Sequence, residues 1–196
     1  MVKSKLPYVL ASASPRRREI CEMLDLPVEI IPAKDEPAPQ PAATIQETVL
    51  QIARGKAEEV AKRYPGRTVI GADTVVAIDG ALLGKPQDDA EAVQMLLRLQ
   101  GREHQVVTAV WVCRADTAGS PNGDGFADTA VVTFYPMTLA ECEAYVSTGE
   151  PMDKAGAYAV QGKGMKYISH LDGDFYTVMG LPGSKLWRFL KQKIPQ

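Results

Sequence analysis

The chain has 196 residues, of which 45% are hydrophobic, and its formal net charge is −2 at pH 7. This length and composition predict a folded protein with a sizeable core, as one domain over residues 1–196 or as two small lobes. The slightly acidic balance argues against a broad nucleic-acid or anionic-membrane surface, so any anion site must be a local cluster that binds a small ligand.

Cysteine and histidine usage narrows the chemistry further. The three cysteines are widely spaced in apolar segments, which fits neither a disulfide framework nor a zinc site. His104 and His170 are the only histidines, so any metal is expected on carboxylates. The sequence shows neither a signal peptide nor an apolar stretch long enough to cross a bilayer, which predicts a soluble cytoplasmic protein.

The first candidate site is residues 10–17, where a short apolar strand ends in serines and a helix begins. Ser14 is predicted to cap this helix by accepting a backbone N–H, with Pro15 as its first residue. Arg16 and Arg17 then add positive charge where the helix dipole is already positive. A bound phosphate would resolve this conflict. The alternative is a capped surface helix whose arginines are solvated.

A capping box predicts a long helix over residues 44–63, and Lys56 lies on its apolar stripe. An ammonium group in that position must either snorkel to solvent or meet an anion. Lys85 is expected in an extended position before a proline and just ahead of a helix over residues 87–99. This is a favourable place to hold phosphate, although a plain loop lysine is the alternative.

Two acidic positions are candidates for catalysis or metal binding. Asp35 and Glu36 lie in a proline-rich loop, residues 32–41, where they either reach a cation on a polyphosphate or belong to a solvated linker. Asp73 lies inside a nearly continuous apolar run, residues 68–78, which predicts a central strand. A carboxylate there is partly desolvated and needs a cation or strong donors, which favours a general base or metal ligand over a backbone cap.

The second half of the chain predicts further strands and helices on a mixed sheet. Residues 115–128 are rich in Gly, Asp, Asn and Ser and are interpreted as a surface loop. The expected elements are strands at 104–113 and 129–135, a helix at 138–149, a hairpin formed by strands at 167–171 and 175–179, and a last helix at 182–191. This succession predicts an α/β fold, with a mixed twisted sheet, flanking helices and a cleft between two lobes.

A glycine- and alanine-rich run, residues 153–162, places Asp153, Lys154 and Gln161 on a backbone that permits close approach. We interpret this run as a binding loop, with a tight crossover between helix and strand as the alternative.

Several short motifs follow one another along the chain: Ser12-x-Ser-Pro-Arg-Arg17, Asp35-Glu36, Ala53-x-x-Lys-Ala57, Gly71-Ala-Asp-Thr-Val75, Gly84-Lys-Pro86, Asp153-Lys-Ala-Gly-Ala-Tyr158 with Gln161-Gly162, and Gly180-Leu-Pro182. In this order they resemble the Maf family of nucleoside triphosphate pyrophosphatases over nearly the whole chain. The resemblance implies a Maf/ITPase-like fold and hydrolysis between the α and β phosphates. It also implies Mg²⁺ or Mn²⁺ and a homodimer.

The resemblance assigns roles to the matching positions. Asp73 would be the proton acceptor and a metal ligand, Glu36 a catalytic residue that contacts the metal or the water, and Lys56 a catalytic phosphate ligand. The implied substrate-binding residues are Ser14, Arg16, Arg17, Thr74, Lys85, Asp153, Lys154 and Gln161.

Within the family, Arg16, Thr74 and Gln161 resemble the branch that acts on dTTP and UTP, whereas the 7-methyl-GTP branch tends to carry Trp, Gln and Glu at these positions. The Gln161 amide could pair with the N3–H and O4 edge of uracil or thymine, although amide rotation would also accommodate cytosine. The alternative function is a non-catalytic nucleotide-binding regulator, suggested by the family's association with septum formation.

Overall fold

The computed structural model describes residues 7–35, 40 and 42–193, and within them the chain folds as an α/β protein. The strands are β1 (Tyr8–Leu10), β2 (Val28–Ile30), β3 (Thr68–Ile78), β4 (Ala81–Leu83), β5 (Glu103–Ala115), β6 (Pro121–Phe134) and β7 (Ile168–Asp172). The α-helices are α1 (Pro15–Met23), α2 (Ile45–Arg63), α3 (Asp89–Leu99), α4 (Leu139–Val146), α5 (Phe175–Met179) and α6 (Gly183–Lys193). Short 3₁₀ helices span Glu150–Asp153, Ala155–Ala157 and Lys163–Tyr167.

The seven strands form one mixed sheet in the order β2-β1-β3-β5-β6-β7, with β4 paired to β3. Strand β1 is parallel to both β2 and β3, whereas the β3–β4 and β6–β7 pairs are antiparallel. The predicted mixed sheet with flanking helices is therefore confirmed. No helix in the described ranges is long and apolar enough to span a membrane.

The chain divides into two compact units, each with its own buried cluster. The first unit contains Met1–Asp73, Thr108–Asp128 and Gly180–Gln196, and the second contains Thr74–Val107 and Thr129–Met179. A buried cluster of the first unit includes Val9, Val60, Val69 and Cys113. The second unit has a larger buried cluster, which includes Leu96, Phe134, Tyr145 and Tyr158.

The predicted surface loop at residues 115–128 is wrong. Strand β5 continues to Ala115 and β6 begins at Pro121, so only residues 116–120 form a turn. The glycines belong to the strand because the backbones approach closely: a Cβ on Gly123 would lie 2.4 Å from the Val112 carbonyl oxygen, and one on Gly125 would lie 2.3 Å from that of Val110. The glycines at the start of β6 therefore reflect close packing of the strand backbones and not a loop.

The predicted hairpin that joins strands at 167–171 and 175–179 is also wrong, because residues 175–179 form helix α5. Asp174 starts this helix: its Oδ1 accepts the Tyr176 N–H at 2.9 Å, and its carbonyl oxygen accepts the Thr177 N–H at 3.0 Å. Strand β7 pairs instead with β6, through partners that include Leu171 and Val132.

Candidate functional site

Helix α1 begins at the predicted residue, but its cap differs from the prediction. Ser14 occupies the N-cap position in an extended conformation, and its side chain makes no capping hydrogen bond, so the predicted hydroxyl cap is wrong. The Ser14 N–H instead donates to Ser12 Oγ at 3.2 Å. The hydroxyl that organises this turn therefore belongs to Ser12, which is 8% exposed.

The consecutive arginines of α1 have different environments. Arg17 Nε donates to the Gly180 carbonyl oxygen at 2.8 Å, and its Nη1 donates to Ser12 Oγ at 3.0 Å. Arg18 pairs with Glu22 at 2.7 Å on an exposed surface. Arg16 is partly buried, and the first turn contains no acidic residue to offset the positive charge.

A buried ion pair joins Lys56 of α2 to Asp73 of β3. Lys56 Nζ lies 2.7 Å from Asp73 Oδ1, and the two side chains are 10% and 16% exposed. The lysine on the apolar stripe therefore meets an anion, one of the two outcomes that its position required. Removing either partner would leave a poorly hydrated charge, which is costly.

Small residues bring α2 close enough to β3 for this pair to form. A Cβ added to Gly71 would lie 2.4 Å from the Ala53 carbonyl oxygen and 2.8 Å from the Ala57 backbone nitrogen. Gly71 and the alanines of the Ala53-x-x-Lys-Ala57 motif thus fix the helix against the strand two residues before Asp73. Thr74 follows in the same strand and is partly buried.

In the second unit, the Gly84 loop contacts the glycine-rich run. Lys85 is exposed, and the carbonyl oxygen of its neighbour Gly84 accepts the Gly156 N–H at 3.0 Å. Gly156 has a φ of +67°, and a Cβ there would lie 2.7 Å from Val76 Cγ2. Glycine at this position therefore satisfies both a left-handed backbone and a close approach to β3.

The remaining polar residues of the glycine-rich run are also in the second unit. Lys154 Nζ pairs with Asp153 and donates to the Glu150 carbonyl oxygen at 3.0 Å. Gln161 is exposed on the segment that precedes the 3₁₀ helix Lys163–Tyr167. The run is thus a folded loop that presents an amide side chain to solvent.

The predicted metal ligands are only partly covered by the described residues. Glu36 lies outside them, and so does its predicted partnership with Asp73. Among the residues that the structure describes, no group of three or more His, Cys, Asp or Glu side chains is arranged to hold a metal ion.

The sequence motifs did not single out Ser12 over Ser14, nor did they mark Glu150 at all. The Glu150 carboxylate accepts hydrogen bonds from one hydroxyl and two backbone N–H groups. The sequence favours Ser14 over Ser12 because Ser14 precedes Pro15, and a lone glutamate in a turn carries no comparable signal.

The family profile described as "Maf-like protein" matches residues 7–193. The chain belongs to the Maf family. Among Maf relatives, a protein from Bacillus velezensis named "dTTP/UTP pyrophosphatase" is 46% identical over 184 residues, which cover 94% of this chain and 95% of the relative. A protein of the same name from Symbiobacterium thermophilum is 45% identical, with 94% and 92% of the two chains covered.

The fold of this Maf protein also resembles that of a solved structure. The Staphylococcus aureus Ham1 protein superposes with a TM-score of 0.52 at 16% sequence identity, covering 96% of this chain and 100% of that one. At this identity the likeness concerns the arrangement of strands and helices.

Proposed function

We propose that this protein is a nucleoside triphosphate pyrophosphatase that hydrolyses dTTP and UTP to the monophosphate and pyrophosphate. The observation that supports this reaction is the buried Lys56–Asp73 pair, which places a base beside a cation. The chain also belongs to the Maf family, in which the relatives described above are named for this activity. No observation favours the alternative, a non-catalytic regulator of septum formation.

In the proposed mechanism, Asp73 accepts a proton from the water that attacks the α-phosphorus, while the bond from that phosphorus to the bridging αβ oxygen breaks and pyrophosphate leaves. Lys56 orients the Asp73 carboxylate and supplies positive charge to the phosphates. Arg16 and Lys85 are further phosphate ligands. Phosphoryl transfer depends mainly on positioning and charge neutralisation, which these groups can provide.

The assignment of a divalent cation rests on donor chemistry. A carboxylate that holds Lys56 through one oxygen retains lone pairs for a cation, and Mg²⁺ and Mn²⁺ prefer oxygen ligands. Asp73 and Glu36 would hold the ion, which would neutralise charge on the triphosphate. A homodimer and a single functional domain over residues 1–196 are likewise proposed on the resemblance. A cytoplasmic location is proposed on the three widely spaced cysteines, which fit a reducing compartment.

The base contacts are proposed for the exposed end of the glycine-rich run. Gln161 would read the pyrimidine edge, with Arg16 and Thr74 completing selectivity. Ser14, Arg17, Asp153 and Lys154 would act around the nucleotide as binding or supporting groups. Arg17 belongs to the supporting class, since its guanidinium group already holds Gly180 and Ser12.

The reaction is tested by product analysis with Mg²⁺ or Mn²⁺ and a panel of dTTP, UTP, CTP, GTP and 7-methyl-GTP. Asp73→Asn keeps the side-chain shape but removes the base, so we expect kcat for dTTP to fall by about 10²- to 10⁴-fold. Asp79→Asn is the matched control, because Asp79 is exposed and pairs with Arg102. Orthophosphate as the product, or undiminished turnover in Asp73→Asn, would contradict the mechanism.

A further inference from the structure

The loop that carries Gln161 is hydrogen-bonded to the carboxylate of Glu150. Glu150 begins the 3₁₀ helix Glu150–Asp153. Its Oε1 accepts the Tyr145 hydroxyl at 2.7 Å and the Gly164 N–H at 3.1 Å, and its Oε2 accepts the Lys163 N–H at 2.9 Å. One side chain therefore binds two consecutive backbone N–H groups on the C-terminal side of Gln161.

Tyr145 of α4 holds the other side of the same loop. Its side chain is 1% exposed, and its hydroxyl oxygen accepts the Ala159 N–H at 3.1 Å while donating to Glu150. We call Glu150 and Tyr145 together the loop clamp. The clamp fixes the backbone two residues before Gln161 and again two and three residues after it, whereas Gln161 itself is exposed.

The loop glycines show how closely the backbone approaches the clamp. A Cβ on Gly162 would lie 2.4 Å from Glu150 Oε2, and one on Gly164 would lie 2.6 Å from the Tyr145 hydroxyl oxygen. Any larger residue at these positions would force the loop and the clamp side chains apart. Gly162 has a φ of −111°, so the requirement there is space rather than a left-handed backbone.

The charges of the clamp agree with these roles. Burial raises the pKa of Glu150, but hydrogen bonds from the Lys163 N–H, the Tyr145 hydroxyl and the Gly164 N–H, with the nearby Lys154 charge, hold it below its usual range. Burial and the bond to Glu150 raise the pKa of Tyr145. At neutral pH the carboxylate is therefore an ionised acceptor and the phenol a protonated donor.

We propose that Glu150 is a positioning residue for base selectivity, which acts through the loop clamp by holding Gln161 in the place where it reads the pyrimidine. This rests on the proposed function, in which Gln161 contacts the base. The clamp holds the loop through backbone N–H groups, so its proposed effect on the nucleotide is indirect. Its effect is to limit the positions that the Gln161 amide can take, which lowers the ordering cost when the correct base binds.

Glu150→Gln is the principal test, because it keeps the side-chain shape but presents an amide nitrogen to a group of donors. We expect KM for dTTP and UTP to rise about tenfold and their preference over CTP and GTP to fall by a similar factor, with kcat changed less than about threefold. Pyrophosphate has no base, so its inhibition constant should stay within about twofold. Glu141→Gln is the matched control, since the Glu141 carboxylate accepts the Thr138 N–H and hydroxyl in the capping box of α4 and is not part of the loop clamp.

Two further variants distinguish positioning from general loss of structure. Tyr145→Phe removes the bond to the Ala159 N–H and should shift selectivity in the same direction even if Glu150→Gln folds poorly. In Gln161→Ala, adding Glu150→Gln should change selectivity less than about twofold further, because the clamp acts through Gln161. Additive effects in this double variant, or a pyrophosphate constant that rises with KM, would overturn the proposal.

The outcomes also separate this proposal from the function on which it rests. If the unaltered protein hydrolyses neither dTTP nor UTP, both are overturned. If Gln161→Ala loses selectivity while Glu150→Gln and Tyr145→Phe retain it, only the clamp is overturned.

Discussion

Neighbouring residues of one type have separable roles at the start of α1. Arg17 bridges two segments through its guanidinium group, Arg18 forms an exposed ion pair, and Arg16 is the proposed phosphate ligand. The sequence does not show that Arg17 is the bridging residue, because which arginine meets a carbonyl oxygen depends on residues far along the chain. Gly180, which accepts from Arg17, is 163 positions away.

Alanine substitution of each arginine should separate these roles. Arg17→Ala loses the bonds to Gly180 and Ser12, so we expect the free energy of unfolding to fall by about 1–3 kcal/mol. Arg18→Ala should change it by less than about 0.5 kcal/mol. Arg16→Ala should raise KM for dTTP about tenfold. Urea unfolding and steady-state kinetics on the three variants measure both effects, and equal stability losses would contradict the assignment.

At the scale of elements, the contact between α2 and β3 determines where Lys56 meets Asp73. The glycine at position 71 allows this contact because the helix backbone lies where a Cβ would otherwise be. The ion pair is thus a consequence of a small residue two positions earlier in the strand.

Gly71→Ala should therefore be severely destabilising. The added methyl group meets backbone atoms of Ala53 and Ala57, which cannot rotate away, so we expect a loss of about 2–3 kcal/mol in the free energy of unfolding. Gly84→Ala is the control, because a Cβ there meets nothing within 4 Å. Thermal unfolding of the two variants measures the difference, and comparable melting temperatures would be inconsistent with a tight helix–strand contact.

A buried histidine makes a second element-level contribution. His104 of β5 is 3% exposed, its Nε2 lies 2.8 Å from the Tyr158 hydroxyl, and its ring packs edge-on against Phe134. Burial lowers the pKa of His104 from 6.5 to about 4. The unfolded chain therefore binds this proton at a higher pH than the folded protein does.

Stability should accordingly fall as the pH drops from 6.5 to 4, because protonation of His104 favours the unfolded chain in that window. The loss due to His104 is roughly 3 kcal/mol. His104→Gln does not titrate and can still bond Tyr158. Urea unfolding of both proteins across this range should show a steeper fall in the free energy of unfolding for the unaltered protein. Protonation of carboxylates lowers this free energy in both proteins alike. Parallel curves would refute the assignment.

The sequence predicted those elements whose ends carry local signals. The capping box predicted for α2 is present at Thr44–Glu47, a second one is present at Thr138–Glu141, and Asp79 and Gly80 both have a positive φ in the turn between β3 and β4. It failed where glycines serve packing, as at Gly123 and Gly125, because strand approach is a tertiary property. The sequence also gives no sign of the role of Glu150, because its partners Lys163 and Gly164 lie 13 and 14 residues away along the chain.

At the scale of the whole molecule, neither compact unit is a continuous stretch of chain. The chain passes from one unit to the other after Asp73, Val107, Asp128 and Met179, and the first three of these points lie inside β3, β5 and β6. Such boundaries cannot be found from composition, because no linker marks them. No single continuous fragment therefore corresponds to either unit alone.

Thiol chemistry reports on the integrity of both units. Cys21, Cys113 and Cys142 are free and buried. Burial raises the pKa of Cys21 to about 11 and that of Cys113 to about 12, and it also raises that of Cys142. A disulfide reagent such as dithionitrobenzoate at about pH 8 should label none of them rapidly in the native protein. Denaturation should release three reactive thiols, and rapid native labelling would contradict the buried positions.

The short turn at residues 116–120 has a consequence for folding fidelity. Asp116 Oδ1 accepts the N–H groups of Ala118 and Ser120, at 2.9 and 2.8 Å, and so determines where β5 reverses into β6. If the reversal slipped by one residue, the alternation along β6 would invert, and Val132 and Phe134 would point away from their core. Together with the backbone bonds from the Asp116 N–H to Ser120 and from the Gly119 N–H to Asp116, this exposed carboxylate protects the protein against a misregistered hairpin whose apolar side chains would promote aggregation.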